Sequence, residues 1–169
     1  MREITGDLWS YWVENYPVCV TVNGCVRQDG RAVMGCGVAA QAARRIPELP
    51  ARLGSFIKEH GWEKVYQLAP GVLSFPVKRD QGVCDGGNVV RHMAHKFRVG
   101  DPVPGWALKA EVEIIADSLV LLKRWAGYFE RGHIILPRPG CGAGGLDWET
   151  QVKPLCEEYG DWLWVIEKE

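Results

Sequence analysis

The sequence predicts an α/β fold in which helices cover both faces of a central sheet. Two observations lead to this prediction: apolar runs alternate with helical patterns along the chain, and the runs are nearly continuous rather than polar at every second position. The alternation is typical of α/β domains, and continuous apolar runs indicate strands that are covered on both faces. With 169 residues, the simplest organisation is one domain spanning residues 1–169.

Five apolar runs are interpreted as strands. They are residues 18–22, 65–69, 72–77, 133–137 and 162–166. The runs are rich in β-branched and aromatic residues, and the first two end at the turn pairs Asn23-Gly24 and Pro70-Gly71.

Four helices are predicted between and after these strands. Apolar residues with helical spacing place three of them at residues 39–46, 50–61 and 108–126. The longest pattern, at 108–126, has charged residues on its opposite side, as a surface helix requires. A fourth helix is expected to begin near Asp147, because aspartate is a good N-cap residue.

The composition excludes several classes of protein. Hydrophobic residues are 47% and charged residues 24% of the chain, which is typical of a folded domain rather than a disordered chain. The net charge of −1 argues against a protein whose whole surface binds polyanions. No apolar run reaches the ~18 residues of a membrane helix, and the N-terminus lacks the apolar segment of a signal peptide.

The cysteines and histidines do not form a metal-binding pattern. The six cysteines include no C-x-x-C pair, so we expect reduced thiols and a cytoplasmic location. Cys84, His92 and His95 have irregular spacing for metal ligands, and we expect neither a metal nor a cofactor.

Residues 80–105 break the alternation and are interpreted as a basic loop insert. Glycine and proline are frequent there and periodicity is weak, which in a compact domain indicates a functional or mobile loop. Arg91, Lys96 and Arg98 are candidates for contacts to DNA phosphates. The alternative is an ordinary solvated loop.

Two glycine-rich loops each follow a strand and precede a helix. They are Met34-Gly35-Cys36-Gly37 and Pro139-Gly140-Cys141-Gly142-Ala143-Gly144-Gly145-Leu146. Glycine lets the backbone approach a ligand closely, and successive N–H groups in such turns bind anions. Because both loops are expected at the carboxyl edge of the sheet, together they favour a clamp for a diphosphate, although either alone is equally consistent with a tight turn.

In the order and spacing of these motifs, the sequence resembles the macrodomains, which bind ADP-ribose. The matching stretches are Thr5-Gly6-Asp7-Leu8, Asn23, residues 32–39 and residues 139–148. The resemblance covers most of the chain outside residues 80–105, and it implies a three-layer α/β/α macrodomain with a central mixed sheet. It is strongest to the branch that removes ADP-ribose from DNA bases, including macrodomain antitoxins, and to relatives that cleave terminal ADP-ribose from acidic protein side chains.

The resemblance also implies roles for individual residues. Asp7 accepts a hydrogen bond from the adenine amino group, Leu8 adds a backbone contact, and Asn23 begins the loop beside the distal ribose. Lys78 occupies the position of the catalytic lysine. The residues along the diphosphate and distal ribose are Gly35, Cys36, Gly37 and Val38 in the first loop, and Gly140, Cys141, Gly142, Ala143, Gly144 and Gly145 in the second.

Two positions depart from the patterns of these relatives. Ala143 stands where the antitoxins often have asparagine, and Gly144 stands where the protein-directed relatives have a catalytic acid. The second departure weakens the prediction of a protein substrate. As a nucleophile, Lys78 needs a pKa well below ~10.4, through burial or a cation such as Arg79, whereas as an electrostatic group it needs no shift.

We therefore expect an ADP-ribosyl glycohydrolase that removes ADP-ribose from a modified macromolecule, with a DNA base favoured over a protein side chain. Two alternatives use the same loops: a non-catalytic ADP-ribose reader, and a phosphatase acting on ADP-ribose 1″-phosphate. Lys78 is the residue that discriminates among the three. One of Trp9, Trp12 and Trp106 is expected to border the adenine site.

Overall fold

The computed structural model describes residues 1–169 and contains eight strands and five α-helices. The strands are β1 (Arg2–Thr5), β2 (Val18–Val22), β3 (Gln67–Ala69), β4 (Val72–Pro76), β5 (Gln81–Val83), β6 (Pro102–Pro104), β7 (Ile134–Pro137) and β8 (Leu163–Glu167). The helices are α1 (Leu8–Val13), α2 (Gly37–Arg45), α3 (Leu49–His60), α4 (Val112–Lys123) and α5 (Lys153–Glu157). Short 3-10 helices lie at Arg91–Lys96 and Gly105–Ala107, and a π-helical turn lies at Trp148–Val152.

The central sheet has six strands in the order β1-β8-β7-β2-β4-β3. All neighbours are parallel except β3, which runs antiparallel to β4, so the sheet is mixed as predicted. The carboxyl ends of the five parallel strands therefore lie at one edge. Because neighbouring strands are about 4.8 Å apart, the ends of β1 and β4, four spacings apart, are separated by roughly 19 Å.

Helices cover both faces of this sheet. In β2, Val18 and Val20 face a core shared with α2 and α3, whereas Cys19 faces a second core on the opposite side. Ile115 and Leu119 of α4 are fully buried in that second core. The predicted arrangement of helix, sheet and helix is confirmed. None of the helices has the length and apolar character needed to cross a bilayer.

The predicted helix at 108–126 is wrong at its N-terminal end, since α4 begins only at Val112. The backbone N–H groups of Lys109, Ala110 and Glu111 donate to the carbonyl oxygens of Asn88, Gly144 and Val77. These partners are distant in sequence, and they hold the segment in an extended conformation that a helix would not allow. Helix α1 has only six residues, too few to show a periodicity in the sequence.

The insert at 80–105 is not an irregular loop. Strands β5 and β6 pair in antiparallel fashion, and a small core of its own contains Cys84, Val89, Val103, Ala107 and Leu108. A Cβ atom on Gly105 would lie 1.8 Å from the carbonyl oxygen of Arg79. Only glycine therefore lets the end of β6 pack against the chain that leaves β4, and this contact fixes the insert beside the carboxyl edge of the sheet.

Candidate functional site

A cavity of about 830 Å³ runs along the carboxyl edge of the sheet. Its walls come from the segments that follow β1, β2, β4, β7 and β8, from both glycine loops, and from the insert. The predicted site residues that line it are Asp7, Leu8, Asn23, Gly35, Cys36, Gly37, Val38, Lys78, Gly140, Gly142, Ala143 and Gly144. The topology thus gathers into one cleft residues that are far apart in the sequence.

The first glycine loop presents unpaired backbone donors to this cavity. The N–H groups of Gly35, Cys36, Gly37, Val38 and Ala39 have no hydrogen-bond acceptor in the protein. Gly35, Cys36 and Gly37 are also exposed. Successive free N–H groups that lead into a helix form an arrangement suited to an anion.

The second glycine loop divides its donors between the fold and the cavity. The N–H groups of Gly142, Ala143 and Gly144 are free, whereas that of Cys141 donates to Arg138 O at 3.4 Å and that of Gly145 donates to Gly142 O at 3.1 Å. Cys141 and Gly145 are also the two predicted ligand-binding residues that do not line the cavity. Both residues lie in turns that are closed by these internal hydrogen bonds, and the Cys141 side chain is half-buried.

Gly144 lies in a tightly packed position. A Cβ atom at this residue would be 2.5 Å from Gly140 O and 2.7 Å from the Cβ atom of Ala110. The Gly144 carbonyl oxygen accepts a hydrogen bond from the Ala110 N–H at 2.9 Å. This backbone therefore has no room for the acidic side chain that the protein-directed relatives carry at this position.

Asp7 and Leu8 lie at the β1 end of the cavity. Asp7 caps α1, with one carboxylate oxygen accepting hydrogen bonds from the N–H and the hydroxyl of Ser10, each at 3.1 Å. Its other carboxylate oxygen accepts no hydrogen bond in the protein, and the Leu8 N–H is also unpaired. This end can therefore offer both an acceptor and a backbone donor to a ligand.

The wall beside Asp7 is formed by α1 and α2. Trp9 is almost fully buried, and its indole N–H donates to the side chain of Gln41 at 2.8 Å. The guanidinium of Arg45 lies 5.1 Å from the centroid of the Trp9 ring. Of the three tryptophans considered for the adenine site, Trp9 lines this end, Trp106 lines the other end, and Trp12 lies outside the cavity.

Asn23 both lines the cavity and holds its wall in place. Its side-chain oxygen accepts from the Cys25 N–H at 2.9 Å, and its side-chain nitrogen donates to Val33 O at 3.1 Å. These bonds tie the end of β2 to the segment that enters the first glycine loop. One N–H of the Asn23 amide remains free for a ligand.

Lys78 follows β4 at the opposite end of the cavity from Asp7. Its side chain is buried, with the residue only 7% exposed, and the amine donates to Trp106 O at 3.3 Å. No carboxylate pairs with it. Burial lowers the pKa of Lys78 below its ordinary value, and the nearby thiols of Cys36 and Cys25 oppose this shift only in part.

Arg79, the cation expected to lower the pKa of Lys78, forms an ion pair with Glu111 instead. Both sides of the Arg79 guanidinium donate to the carboxylate of Glu111, at 2.6 Å each. This bidentate pair raises the pKa of Arg79. The lowered pKa of Lys78 is therefore caused by burial and not by Arg79.

The insert forms the wall at the Lys78 end. Trp106, which is 39% exposed, and His92 both line the cavity there. Arg91, Lys96 and Arg98 are exposed on the same insert, and none of the three forms an ion pair within the chain. Cys84 is instead buried in the core of the insert, whereas His92 and His95 are exposed, so these three do not converge on a common point.

Sequence reasoning missed several charged and polar residues of the cavity. Gln41 and Arg45 lie four and eight residues after Gly37 on α2, and helical spacing alone places all three on one face. Arg138 and Lys168 follow β7 and β8, just as Lys78 follows β4, so the strand-end argument applied to Lys78 also reaches them. His92 gives no comparable signal, because its position depends on the fold of the insert.

Several solved structures have a similar architecture. No family model and no curated protein matches the sequence. Among solved structures, the macrodomain of Mycobacterium tuberculosis DarG is similar, with a TM-score of 0.64 and 22% identity over 98% of this chain and 95% of that chain. The macrodomain of Thermus aquaticus DarG gives a TM-score of 0.59 and 22% identity over 98% of this chain and 97% of that chain.

A third solved structure contains a ligand. Thermosipho africanus DarTG in complex with ADP-ribose matches with a TM-score of 0.62 and 18% identity. The match covers 100% of this chain but 42% of that chain, so this chain spans less than half of the DarTG chain. Together these similarities show that the protein has the macrodomain fold, which confirms the fold predicted from the sequence.

Proposed function

We propose that this protein is an ADP-ribose-binding macrodomain hydrolase that removes ADP-ribose from a modified macromolecule, with residues 1–169 forming a single macrodomain. One observation carries the proposal: two loops with free N–H groups border the same cavity, and a buried lysine without a carboxylate partner lies at one end of it. The solved DarTG complex, which has the same fold and contains ADP-ribose, is consistent with this ligand.

The proposed ligand lies along the carboxyl edge of the sheet. Its adenine is at the β1 end, where the free carboxylate oxygen of Asp7 accepts from the adenine amino group and the Leu8 N–H donates to the ring. The diphosphate lies between the two glycine loops, whose free N–H groups donate to its oxygens. The distal ribose then reaches the Lys78 end, about 19 Å away by strand spacing.

Lys78 carries the catalysis in this proposal. The lowered pKa of Lys78 increases the fraction of neutral amine at a given pH. A neutral amine can attack C1″ of the distal ribose and displace the macromolecular acceptor. The hydrogen bond to Trp106 O orients the amine. No carboxylate forms an ion pair with the amine, so no such pair favours its charged form.

A DNA base is the acceptor that we favour. Arg91, Lys96 and Arg98 are exposed, form no ion pair and lie on the insert that forms the wall at the Lys78 end, which supports contacts to phosphates on either side of a modified base. The absence of room for an acid at Gly144 also argues against the chemistry of the protein-directed relatives.

The test of the function compares wild type with Lys78→Ala. We expect wild type to release ADP-ribose from an ADP-ribosylated oligonucleotide, and Lys78→Ala to lose this activity while its affinity for free ADP-ribose, measured by calorimetry, is retained. Lys109→Ala is the control, since Lys109 is an exposed lysine outside the cavity. Binding of ADP-ribose without release by wild type from either the oligonucleotide or an ADP-ribosylated protein would identify a reader, and failure to bind ADP-ribose would refute both functions.

The test of the acceptor uses the insert. In the double variant Arg91→Glu with Lys96→Glu, turnover of the oligonucleotide should fall and its dependence on salt should weaken, because two phosphate contacts are lost. Affinity for free ADP-ribose should stay the same, since neither side chain lines the cavity. An equal loss of turnover and of ADP-ribose affinity would contradict the proposed DNA contact.

A further inference from the structure

The proposed cleavage of a base–ribose bond needs a proton donor at the Lys78 end of the cavity when the link is to an amino nitrogen of the base. When the bond between C1″ and such a nitrogen breaks, its electron pair goes to the nitrogen, and the base leaves readily only if that nitrogen gains a proton, because the anion of an amino group is a poor leaving group. Asp7 is the only carboxylic acid that lines the cavity. It lies after β1, roughly 19 Å from the end of β4 by strand spacing, so it cannot serve this step.

The second glycine loop offers no proton donor, because its residues that line the cavity, Gly140, Gly142, Ala143 and Gly144, have no ionisable side chain. A side chain on Gly144 would clash with Gly140 O, at a distance of 2.5 Å from its Cβ atom. The donor at the Lys78 end must therefore come from another element. Three side chains at that end can carry a transferable proton: those of Lys78, Cys36 and His92.

The hydrogen-bond register of the insert brings His92 to this place. Val90 N–H donates to Ala107 O at 2.8 Å, and Val89 pairs with Leu108 in an antiparallel bridge. Ala107 directly follows Trp106, whose carbonyl oxygen accepts from the Lys78 amine. His92, two residues after Val90, is thereby held beside the segment that contacts Lys78, and it lines the same cavity.

His92 is also free to take part in proton transfer. It is exposed, it forms no hydrogen bond through its ring, and it has no salt bridge. Histidine is the side chain best suited to exchange a proton near neutral pH. Val89 and Val90 are buried in or beside the core of the insert, so the backbone that carries His92 is anchored.

We propose that His92 is the general acid for departure of the base, an inference that rests on the proposed function. The neutral Lys78 amine forms a bond to C1″ while the bond from C1″ to the base nitrogen breaks, and the imidazolium of His92 donates its proton to that nitrogen. Water then forms the new bond to C1″ as the bond to Lys78 breaks, and the neutral imidazole takes a proton from the water. The cycle returns both side chains to their starting forms and consumes one water.

The test varies the leaving group. A His92→Gln variant is measured on an oligonucleotide that carries ADP-ribose on an amino nitrogen of a base, which needs a proton to leave, and on a 4-nitrophenyl ether of ADP-ribose at C1″, whose acidic nitrophenol leaves without one. The matched control is His95→Gln, because His95 is exposed on the same 3-10 helix but does not line the cavity. Circular dichroism melts and calorimetry with free ADP-ribose verify the fold and the binding of each variant.

We expect His92→Gln to slow the oligonucleotide reaction by about 10²- to 10⁴-fold, the usual contribution of a general acid, and to leave the aryl ether reaction nearly unchanged. His95→Gln should change neither rate. Equal losses on both substrates, or no loss on either, would overturn the role of His92. A wild-type protein that cleaves neither of these substrates nor an ADP-ribosylated protein would instead refute the hydrolase function, and a wild-type protein that cleaves only the ADP-ribosylated protein would overturn the need for the acid.

Discussion

Replacement of Gly144 by alanine tests whether the second glycine loop depends on its close backbone packing. The added Cβ atom would lie 2.5 Å from Gly140 O and 2.7 Å from Ala110 Cβ, so the loop has to move. Overpacking of this kind costs about 1–3 kcal/mol. Displacement of the loop also weakens the 2.9 Å hydrogen bond from Ala110 N–H to Gly144 O, which contributes roughly 1 kcal/mol.

We therefore expect Gly144→Ala to lower the free energy of unfolding by about 3 kcal/mol in total. For a domain of this size, that corresponds to a decrease in Tm of roughly 6–12 °C. Thermal unfolding followed by circular dichroism measures the effect. Because the loss of one charge-assisted hydrogen bond costs about 1.5–3 kcal/mol, affinity for ADP-ribose should fall at least about tenfold.

Gly142→Ala is the matched control in the same loop. A Cβ atom at Gly142 meets nothing within 4 Å, and the residue is exposed. Its Tm should stay within a few degrees of wild type, since the substitution adds no clash and reduces the freedom of the unfolded chain. Equal Tm values for the two variants would refute the packing argument, whereas a large loss of Tm in Gly144→Ala with unchanged ADP-ribose affinity would refute only the role of the loop in binding.

Three further predictions concern charged residues. Lys78→Met should unfold at a higher temperature than wild type at pH 7, because burial lowers the pKa of Lys78 and the charged form therefore disfavours the fold. The difference in unfolding temperature should narrow as the pH approaches ~10.4, where the amine loses its charge in the unfolded chain as well. A constant difference across this pH range would contradict the reasoning. Asp147→Ala should be less stable than wild type at pH 7, because hydrogen bonds from Thr150 stabilise the ionised carboxylate and lower the pKa of Asp147. The difference in stability between the two proteins should shrink as the pH falls below ~4. Thermal unfolding at pH 7 and at pH 3 measures this difference. Arg79→Met should retain oligonucleotide turnover within about threefold, since Arg79 forms an exposed pair with Glu111, and a hundredfold loss would show that Arg79 acts on Lys78.

The elements that the sequence predicts well are those whose structure is decided locally. The apolar run at 18–22 matches β2 without a change of bounds, and the glycine after α3 ends that helix as expected. The predicted start near Asp147 is also confirmed, since its carboxylate caps the turn through Thr150. In each case the signal and the hydrogen bonds that realise it lie within a few residues of one another.

The insert shows where this reasoning fails. Its two strands are 21 residues apart at Gln81 and Pro102, and each has only three residues, so no periodicity reveals their pairing. The segment at 108–111 has a strong helical pattern, yet carbonyl oxygens of the insert and of the second glycine loop bind its N–H groups. Long-range hydrogen bonds therefore override a local preference at this position, and the same bonds bring Trp106 and His92 to the cavity.

The candidate site was predictable wherever it is made of backbone at strand ends. Glycine loops can be read from the sequence because the absence of side chains is itself the signal, and parallel strands bring their carboxyl ends together. The side chains of α2 that complete the cavity follow from helical spacing once Gly37 is fixed as the first residue. The assignment of donors within the second loop does not follow from the sequence, because only the folded loop decides that Cys141 and Gly145 bond internally.

The distribution of unpaired polar groups separates the stabilising part of this molecule from its functional part. No buried side-chain nitrogen or oxygen lacks a hydrogen-bond partner, so the two cores incur no desolvation penalty from unpaired side chains. Free backbone N–H groups lie instead in the two glycine loops at the carboxyl edge, and five of the residues that carry them are exposed: Gly35, Cys36, Gly37, Gly142 and Ala143. A diphosphate that replaces water at these groups gains charge-assisted hydrogen bonds without breaking any bond within the protein. Ligand binding can therefore be strong at this edge without a rearrangement of the fold, which is why substitutions that displace the loops are expected to affect affinity more than substitutions that alter their side chains.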